Sequence, residues 1–406
     1  MSDSVTLLRL FGPAARPRAV RRSHVAAAAA LVLALVAPFY LEVFWLQVGV
    51  FAFAAMVAAF GLNLLVGDGG QLSLAHSFFI AVGAYGYTFF ASAPQQVGAD
   101  EQAGWGLPPL LALVLAVGLA GVAGVLFSPI AARLRGIYLG VASLGLVLLG
   151  QHVLVNAKPL TGGFNGRDVP SFAVLGFRFD DLDGKTLHVL GVPFGRMEKL
   201  WYVGLVAVVA GWLFYRNVRA SRVGRALHAV RDGEIAAAAM GVPVTRYKGA
   251  AFLVSSMLAG LGGVLLALAF RHIVPETFGV LLAIEYLAMV VIGGIGSPGG
   301  TVAGALFVSS LPVVLQRYAD TLPLVADNPT GGGVTPGIAA RFCYGGVVVL
   351  LLLAEPGGLA ALGQRARRRL DRRHGPLPLV AAQPPAAAAS AGDVAATTPT
   401  SGALTT

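Results

Sequence analysis

Arg222-Val-Gly-Arg-Ala-Leu-His-Ala-Val-Arg-Asp-Gly-Glu-Ile-Ala-Ala-Ala-Ala-Met-Gly-Val-Pro243 is a basic, alanine-rich stretch between two apolar runs, 200–215 and 248–270. Alanine is the best helix former. Asp232 suits an N-cap for a short helix running through Glu234, Ala236, Ala237, Ala238, Ala239 and Met240, Gly241 suits a left-handed C-terminal turn, and Pro243 stops the helix. The small side chains predict a stubby helix with an almost bare surface. Such a helix fits a groove on a partner, with Glu234 as an acidic contact and Arg225 and Arg231 as basic ones. The plainer alternative is an ordinary connector.

The flanking runs set the class. The chain has 406 residues, 56% of them hydrophobic and only 12% charged. Soluble domains carry about 25% charged residues. Uncharged runs fall near 25–41, 43–66, 73–92, 108–130, 136–155, 200–215, 248–270, 281–295, 300–316 and 338–354. A span needs about 20 residues, and several of these runs are short. The pair 281–295 and 300–316 reads as two short helices or one broken hairpin. The fold class is therefore an all-α polytopic membrane protein with eight to ten transmembrane helices and both termini cytoplasmic.

Charge placement gives the orientation. The net charge of +10 comes mostly from arginines at the ends of apolar runs, as in cytoplasmic loops. That distribution argues for a membrane surface and against a nucleic-acid partner. With ten spans, Arg133, Arg135, Arg216, Arg219, Arg222, Arg225, Arg231, Arg246, Lys248 and the basic stretch 365–373 all fall inside. The loop 93–107, with Asp100 and Glu101 and no basic residue, falls outside, as does the charge-balanced loop 156–199. Residues 1–24 form a basic cytoplasmic N-terminus, 25–355 the membrane domain with a cytoplasmic loop at 216–247, and 356–406 a basic and then Ala/Pro/Ser/Thr-rich tail expected to be disordered. The lone Cys343 reads as a small core residue and allows no disulfide within the chain.

Glycines punctuate the membrane runs. Val66-Gly-Asp-Gly-Gly70 and Ile292-Gly-Gly-Ile-Gly-Ser-Pro-Gly-Gly300 echo each other, a hint of an internal repeat. Gly-rich interruptions also mark broken helices along a pathway. Intramembrane polar residues are expensive, which makes Asn63, Gln71, Ser73, His76 and Glu285 candidate pathway residues, with Gln151, Ser255 and Ser256 behind them. Glu285 suits an ammonium group, a pair with Arg271, or the outer interface. For His76 a helix-packing hydrogen bond is the simpler role, and the serines are expected to bond back to their own helix.

Four stretches together resemble the permeases of branched-chain amino-acid ABC transporters, and within them the LivM-type subunit. They are Arg225 to Gly241 followed by Thr245-Arg-Tyr-Lys248; Gly61-Leu-Asn-Leu-Leu-Val-Gly-Asp-Gly-Gly-Gln-Leu-Ser-Leu-Ala-His-Ser-Phe-Phe79; Arg133-Leu-Arg-Gly-Ile-Tyr138 with Leu160-Thr-Gly-Gly163; and Ile284-Glu-Tyr-Leu-Ala-Met-Val-Val-Ile-Gly-Gly-Ile-Gly-Ser297. Ala75 stands before His76 where the family usually has glycine, and the tail is longer than typical. The resemblance implies a bacterial inner-membrane importer. A second homologous permease subunit completes the pathway in the lipid bilayer, a periplasmic solute-binding protein delivers the cargo, and two cytoplasmic ATPases bind ATP and Mg²⁺. The loop 216–247 would couple to them. Urea and short-amide permeases share these motifs, so the cargo stays open between them and amino acids. An ion-coupled secondary transporter is the rival of another class.

No catalytic chemistry or metal site is expected. Gly184-Lys185-Thr186 is not a phosphate-binding loop, because Phe179 stands where its leading glycine is required. The chain therefore carries no ATPase of its own by this reading, and no cofactor.

Overall fold

A computed structural model describes residues 28–97, 100–134, 136–174, 177–179, 187–189, 192–318, 335–354, 357–363 and 365. The chain divides into two units, residues 1–363 and 364–406, and of the second only Arg365 is described. The basic N-terminal stretch, Gly184-Lys185-Thr186 and nearly all of the tail lie outside the described residues.

The first unit is a helical bundle: α1 Ala28–Phe39, α2 Val43–Asp68, α3 His76–Ala91, α4 Pro109–Arg133, α5 Ile137–Asn156, α6 Arg196–Ala220, α7 Arg222–Asp232, α8 Glu234–Ala239, α9 Val244–Phe270, α10 Val280–Gly293, α11 Pro298–Arg317 and α12 Pro336–Ala354. Among the described residues, six helices (α2, α4, α5, α6, α9 and α11) are long and apolar enough to cross a bilayer. The expected eight to ten spans are thus not established. Among the described residues, α3 and α10 are too short by length, with 16 and 14 residues, and the described part of α1 is shorter than a span. The pair 281–295 and 300–316 forms two helices, Val280–Gly293 and Pro298–Arg317, joined by a short glycine-rich turn.

Helices α2 and α9 are apolar on every face and form the centre, with α3 and α4 packed on α9 and α6, α10 and α11 around α2. A helix without a polar face has no preferred side to turn outward. Without a hydrophobic drive between helices in lipid, close backbone approach carries the packing. At the crossing of α3 and α9, a Cβ on Gly83 would run into the Gly260 backbone, and one on Gly263 into the Ile80 carbonyl. Helix α5, by contrast, leaves Ile137, Tyr138, Val141, Leu148, Leu149 and Val153 exposed, a face for lipid or another subunit. Cys343 also lies exposed, on α12, and not in the core as its apolar run suggested.

The helices alternate in direction and leave the bundle with two different ends. One end carries Arg133, Arg219, α7, α8 and the two glycine-rich breaks, and is called the basic end below. The other carries short β-strands, of which β1 Arg167–Asp168 pairs antiparallel with β2 His272–Ile273, so that the expected all-α fold acquires a small β decoration. That clip ties the loop after α5 to the end of α9. His272 Nδ1 lies 2.7 Å from Asp168 Oδ1, and its other nitrogen 2.9 Å from the Asn165 carbonyl. The hydrogen bond to Asp168 holds the imidazole pKa above its ordinary 6.5. A group raised on folding stabilises most below its ordinary pKa and loses that contribution as pH climbs through the folded value. His272→Gln should therefore lower the melting temperature by about 1 °C near pH 5.5 and by almost nothing near pH 9, the small size following from a half-exposed His272 and an almost fully exposed Asp168. An equal effect at both pH values would refute a charged clip.

Candidate coupling site at the basic end

The basic end is built from a clamp. Ser221 caps α7, its hydroxyl accepting from Val223 N at 3.1 Å. Gly224, Leu227 and Val230 then face the bundle, and the alternate face carries Arg222, Arg225 and Asp232 into solvent. This 3.6-residue sorting lays α7 against the end of α2. There α2 does not stop cleanly. Gly69 N bonds to the Leu64 carbonyl at 3.0 Å, the wide ring of a π-turn, a distortion that recurs at functional positions. The turn presents Asp68, 1% exposed, to the loop. His228 Nε2 lies 2.8 Å and Arg219 Nε 3.3 Å from Asp68 Oδ1. Arg231 donates to the Gly67 carbonyl at 2.9 Å. Its stem covers Gly70, whose φ of 64° and lack of a side chain leave room for it.

The second glycine-rich break meets the first. Asn63, buried, donates to Thr301 Oγ1 at 2.6 Å and accepts from Gly296 N at 2.7 Å. Gly67 sits so close to Gly296 that a Cβ would lie 2.5 Å from its nitrogen. Arg219 also donates to the Gly296 carbonyl. Both echoing segments therefore interrupt helices, touch each other, and are held by residues of α6 and α7.

Helix α8 follows after Gly233. Asp232 does not cap it: Asp232 is the last residue of α7, hydrogen-bonded by Arg231 at 3.0 Å, and the N-cap is Gly233, which has no side chain to offer. Gly241, at φ 83°, closes α8 as expected. Val242 N bonds to the Ala237 carbonyl and Gly241 N to the Ala238 carbonyl, both at 3.0 Å, which satisfies the last orphan acceptors of the helix. Ala237 faces inward, while Ala236, Ala238 and Ala239 are exposed. Ile235 and Met240 are 78% and 86% exposed.

Glu234 does not point into open solvent. It pairs with Lys248, a buried lysine at the start of α9, and is itself mostly covered. Sequence reasoning missed this partner, and also missed Asp68, Arg219 and His228. An uncompensated Lys248 ammonium would be costly, so Glu234 serves first to fasten α8 to α9. Arg225 is exposed and donates to the Ala220 carbonyl at 3.0 Å.

The candidate pathway residues do not form one cluster. Asn63 joins the two breaks. Gln71 lies beneath α8. Ser73 Oγ accepts from Ala75 N at 3.2 Å. His76, buried, places Nε2 2.7 Å from the Ala58 carbonyl and packs against Tyr286, the helix-packing role expected for it. Glu285 lies half-buried in the middle of α10, away from the basic end. Ser256 bonds back to the Leu253 carbonyl at 2.9 Å, whereas Ser255 Oγ is buried without a hydrogen-bond partner.

An apolar bundle with several helices long enough to cross a bilayer defines a multi-pass membrane protein, with a polar helix pair held at one end. The chain belongs to the family of branched-chain amino acid transport system permease components, whose model matches residues 44–352. It is 29% identical over 340 residues to the high-affinity branched-chain amino acid transport system permease protein LivM of Salmonella typhimurium, covering 82% of this chain and 73% of the relative. It is also 25% identical over 268 residues to LivH of Escherichia coli, covering 65% and 82%. The ribose import permease RbsC of Haemophilus influenzae is 27% identical over 210 residues, covering 50% and 58%. No solved structure matches the chain.

Proposed function

We propose that this chain is one of two unlike permease halves of an ATP-driven importer for branched-chain amino acids. In this reading the basic end faces the cytoplasm of a bacterial inner membrane, and α8 docks in a groove of an ATPase subunit. ATP and Mg²⁺ belong to two such ATPases, a solute-binding protein delivers the amino acid at the opposite end, and this chain performs no catalysis. The second half is a homologous permease, as the separate LivM and LivH relatives suggest.

The observation that carries the reading is the pair Ile235 and Met240, large apolar side chains left exposed on a helix that is otherwise fastened down. Apolar anchors on a rigid polar surface mark protein contacts. The clamp through Asp68, Arg219 and Arg231 then gives a physical route by which moving α7 and α8 displaces both helix breaks together. Amino-acid cargo is favoured over a sugar because LivM, named for branched-chain amino acids, aligns over much more of this chain than the ribose permease does.

The test is uptake of labelled leucine and labelled urea into cells expressing the whole complex, with an active or an inactivated ATPase. ATPase-dependent accumulation of leucine is expected. Accumulation of urea instead would keep the machine and change its cargo. Uptake indifferent to the ATPase would refute the coupling role of α8 and favour an ion-coupled carrier.

A further inference from the structure

Helix α6 carries one unbroken outward stripe. Val206, Ala210, Leu213, Phe214, Asn217 and Ala220 are all exposed, at the three- and four-residue steps of a single helix face. Most of that face is apolar, and α6 is long and apolar enough to cross a bilayer. The stripe ends in cations. Arg216 follows directly on the uncharged run 200–215 and is exposed, one turn before Ala220. The chain then folds back at Ser221. Gly224 of α7 lies so close to Arg219 that a Cβ there would meet its carbonyl. The fold-back brings Arg225 onto the end of α6, where its Nη1 donates to the Ala220 carbonyl at 3.0 Å. Arg222, also exposed, stands one turn before Arg225 on the same face of α7. Three exposed guanidinium groups thus gather at one elbow, at the foot of an apolar stripe.

No carboxylate of the neighbouring elements answers them. Asp68 is buried against Arg219 and His228, and Asp232 is held by Arg231. Arg225 uses one of its five N–H donors on Ala220 and keeps the others. Like charges gathered this way repel unless an anion stands among them. The planar fork of a guanidinium matches the oxygens of a phosphate. The stripe asks in addition for hydrocarbon carried on the same molecule as the anion. A soluble phosphate would meet the cations and leave the stripe bare. An acidic protein loop reaching the elbow from the aqueous side would do the same. A phospholipid supplies both parts, because its phosphate lies where the hydrocarbon of the bilayer ends.

We infer that the elbow between α6 and α7 binds an anionic phospholipid, its phosphodiester among Arg216, Arg222 and Arg225 and its acyl chains along the stripe through Leu213 and Phe214. The lipid fastens the first turn of α7 to the membrane surface. The other end of α7 is fastened to the break after α2 by Arg231, so the helix is held at both ends. The inference needs only that α6 crosses a bilayer, and it is independent of the cargo and of the ATPase.

The experiment places the purified complex of permeases and ATPases in phosphatidylcholine nanodiscs. These contain a small fraction of phosphatidylglycerol bearing a photoactivatable acyl chain, or of phosphatidylcholine bearing the same chain. Cross-links to residues 206–215 are read by peptide mass spectrometry. The phosphatidylglycerol probe should label this stretch at least tenfold more than the phosphatidylcholine probe. Arg216→Gln, Arg222→Gln and Arg225→Gln combined should erase that preference, since each arginine at an anionic lipid surface contributes roughly fivefold. If the combined variant fails to assemble, Arg216→Gln alone decides, with an expected fall of threefold or more. Arg133→Gln with Arg246→Gln, two exposed arginines of the same end outside the elbow, should leave the labelling unchanged. Equal labelling by the two probes, or an equal loss in this control pair, would reduce the elbow to ordinary boundary lipid and overturn the site. Displacement of the probe by excess inorganic phosphate would also overturn it, in favour of a soluble phosphate. So would loss of ATPase or partner permease from the combined variant with labelling retained, which would assign the arginines to a protein contact.

Discussion

Ile235→Asp is expected to leave the permease in the membrane at normal levels and to abolish most transport, with the ATPase subunit bound roughly 30- to 150-fold more weakly. The size follows from an apolar anchor at an interface centre, where truncation costs about 2–3 kcal/mol, and an aspartate adds a desolvation penalty. Folding should survive, because the Ile235 side chain is 78% exposed and buries almost nothing within this chain. Met240→Asp, also on an exposed side chain, should behave alike. Co-purification of the ATPase with the variant permease, compared at matched membrane levels, is the measurement. Wild-type co-purification and uptake in both variants would remove α8 from the docking surface. Glu234→Arg, attractive from the sequence, is a poorer probe. It would set a second cation against buried Lys248 and perturb α8 whether or not an ATPase binds there.

That contrast shows where the sequence was legible. The apolar runs and the two glycine-rich breaks were readable because lipid admits few solutions: long apolar helices, interrupted only where glycine permits. The position of α8 and its left-handed end at Gly241 followed from local rules, since alanine propensity and a glycine turn act within a few residues. The roles of individual side chains did not. Whether Glu234 faces a partner or Lys248 depends on how α9 lies beneath it. Asp68 looked like one more polar residue in a glycine run, and only the fold brings it to Arg219 and His228, more than 150 positions away. Asp232 failed as a cap because α7 continues through it. Cys343 failed as a core residue because an apolar run in a membrane protein does not say which side faces inward.

Asp68 carries the second large effect. Its carboxylate is 1% exposed and lies against a guanidinium and an imidazole that belong to the end of α6 and to α7. Removing one member of a buried pair costs about 3–5 kcal/mol when the remaining charge is stranded. Here Arg219 is about a third exposed, so the stranded charge is partly solvated and a cost of about 2–3 kcal/mol is the better expectation. Asp68→Ala should therefore lower the melting temperature of the detergent-solubilised permease by several degrees. The functional loss should be larger than the stability loss. Without the carboxylate, α7 keeps only the Arg231 bond to Gly67 among its polar ties to the first break, and motion of the docking helix is no longer delivered to Gly67 and Gly296 together. The expected signature is ATP hydrolysis that continues while uptake falls tenfold or more, in other words uncoupling. Asp68→Asn, which preserves shape and one acceptor, should recover part of the stability and little of the coupling if charge is what holds α7. Uptake and hydrolysis falling in parallel in both variants would mean that Asp68 only supports the fold, and the mechanical link between the docking helix and the helix breaks would have to run through Arg219 and its bond to Gly296 instead.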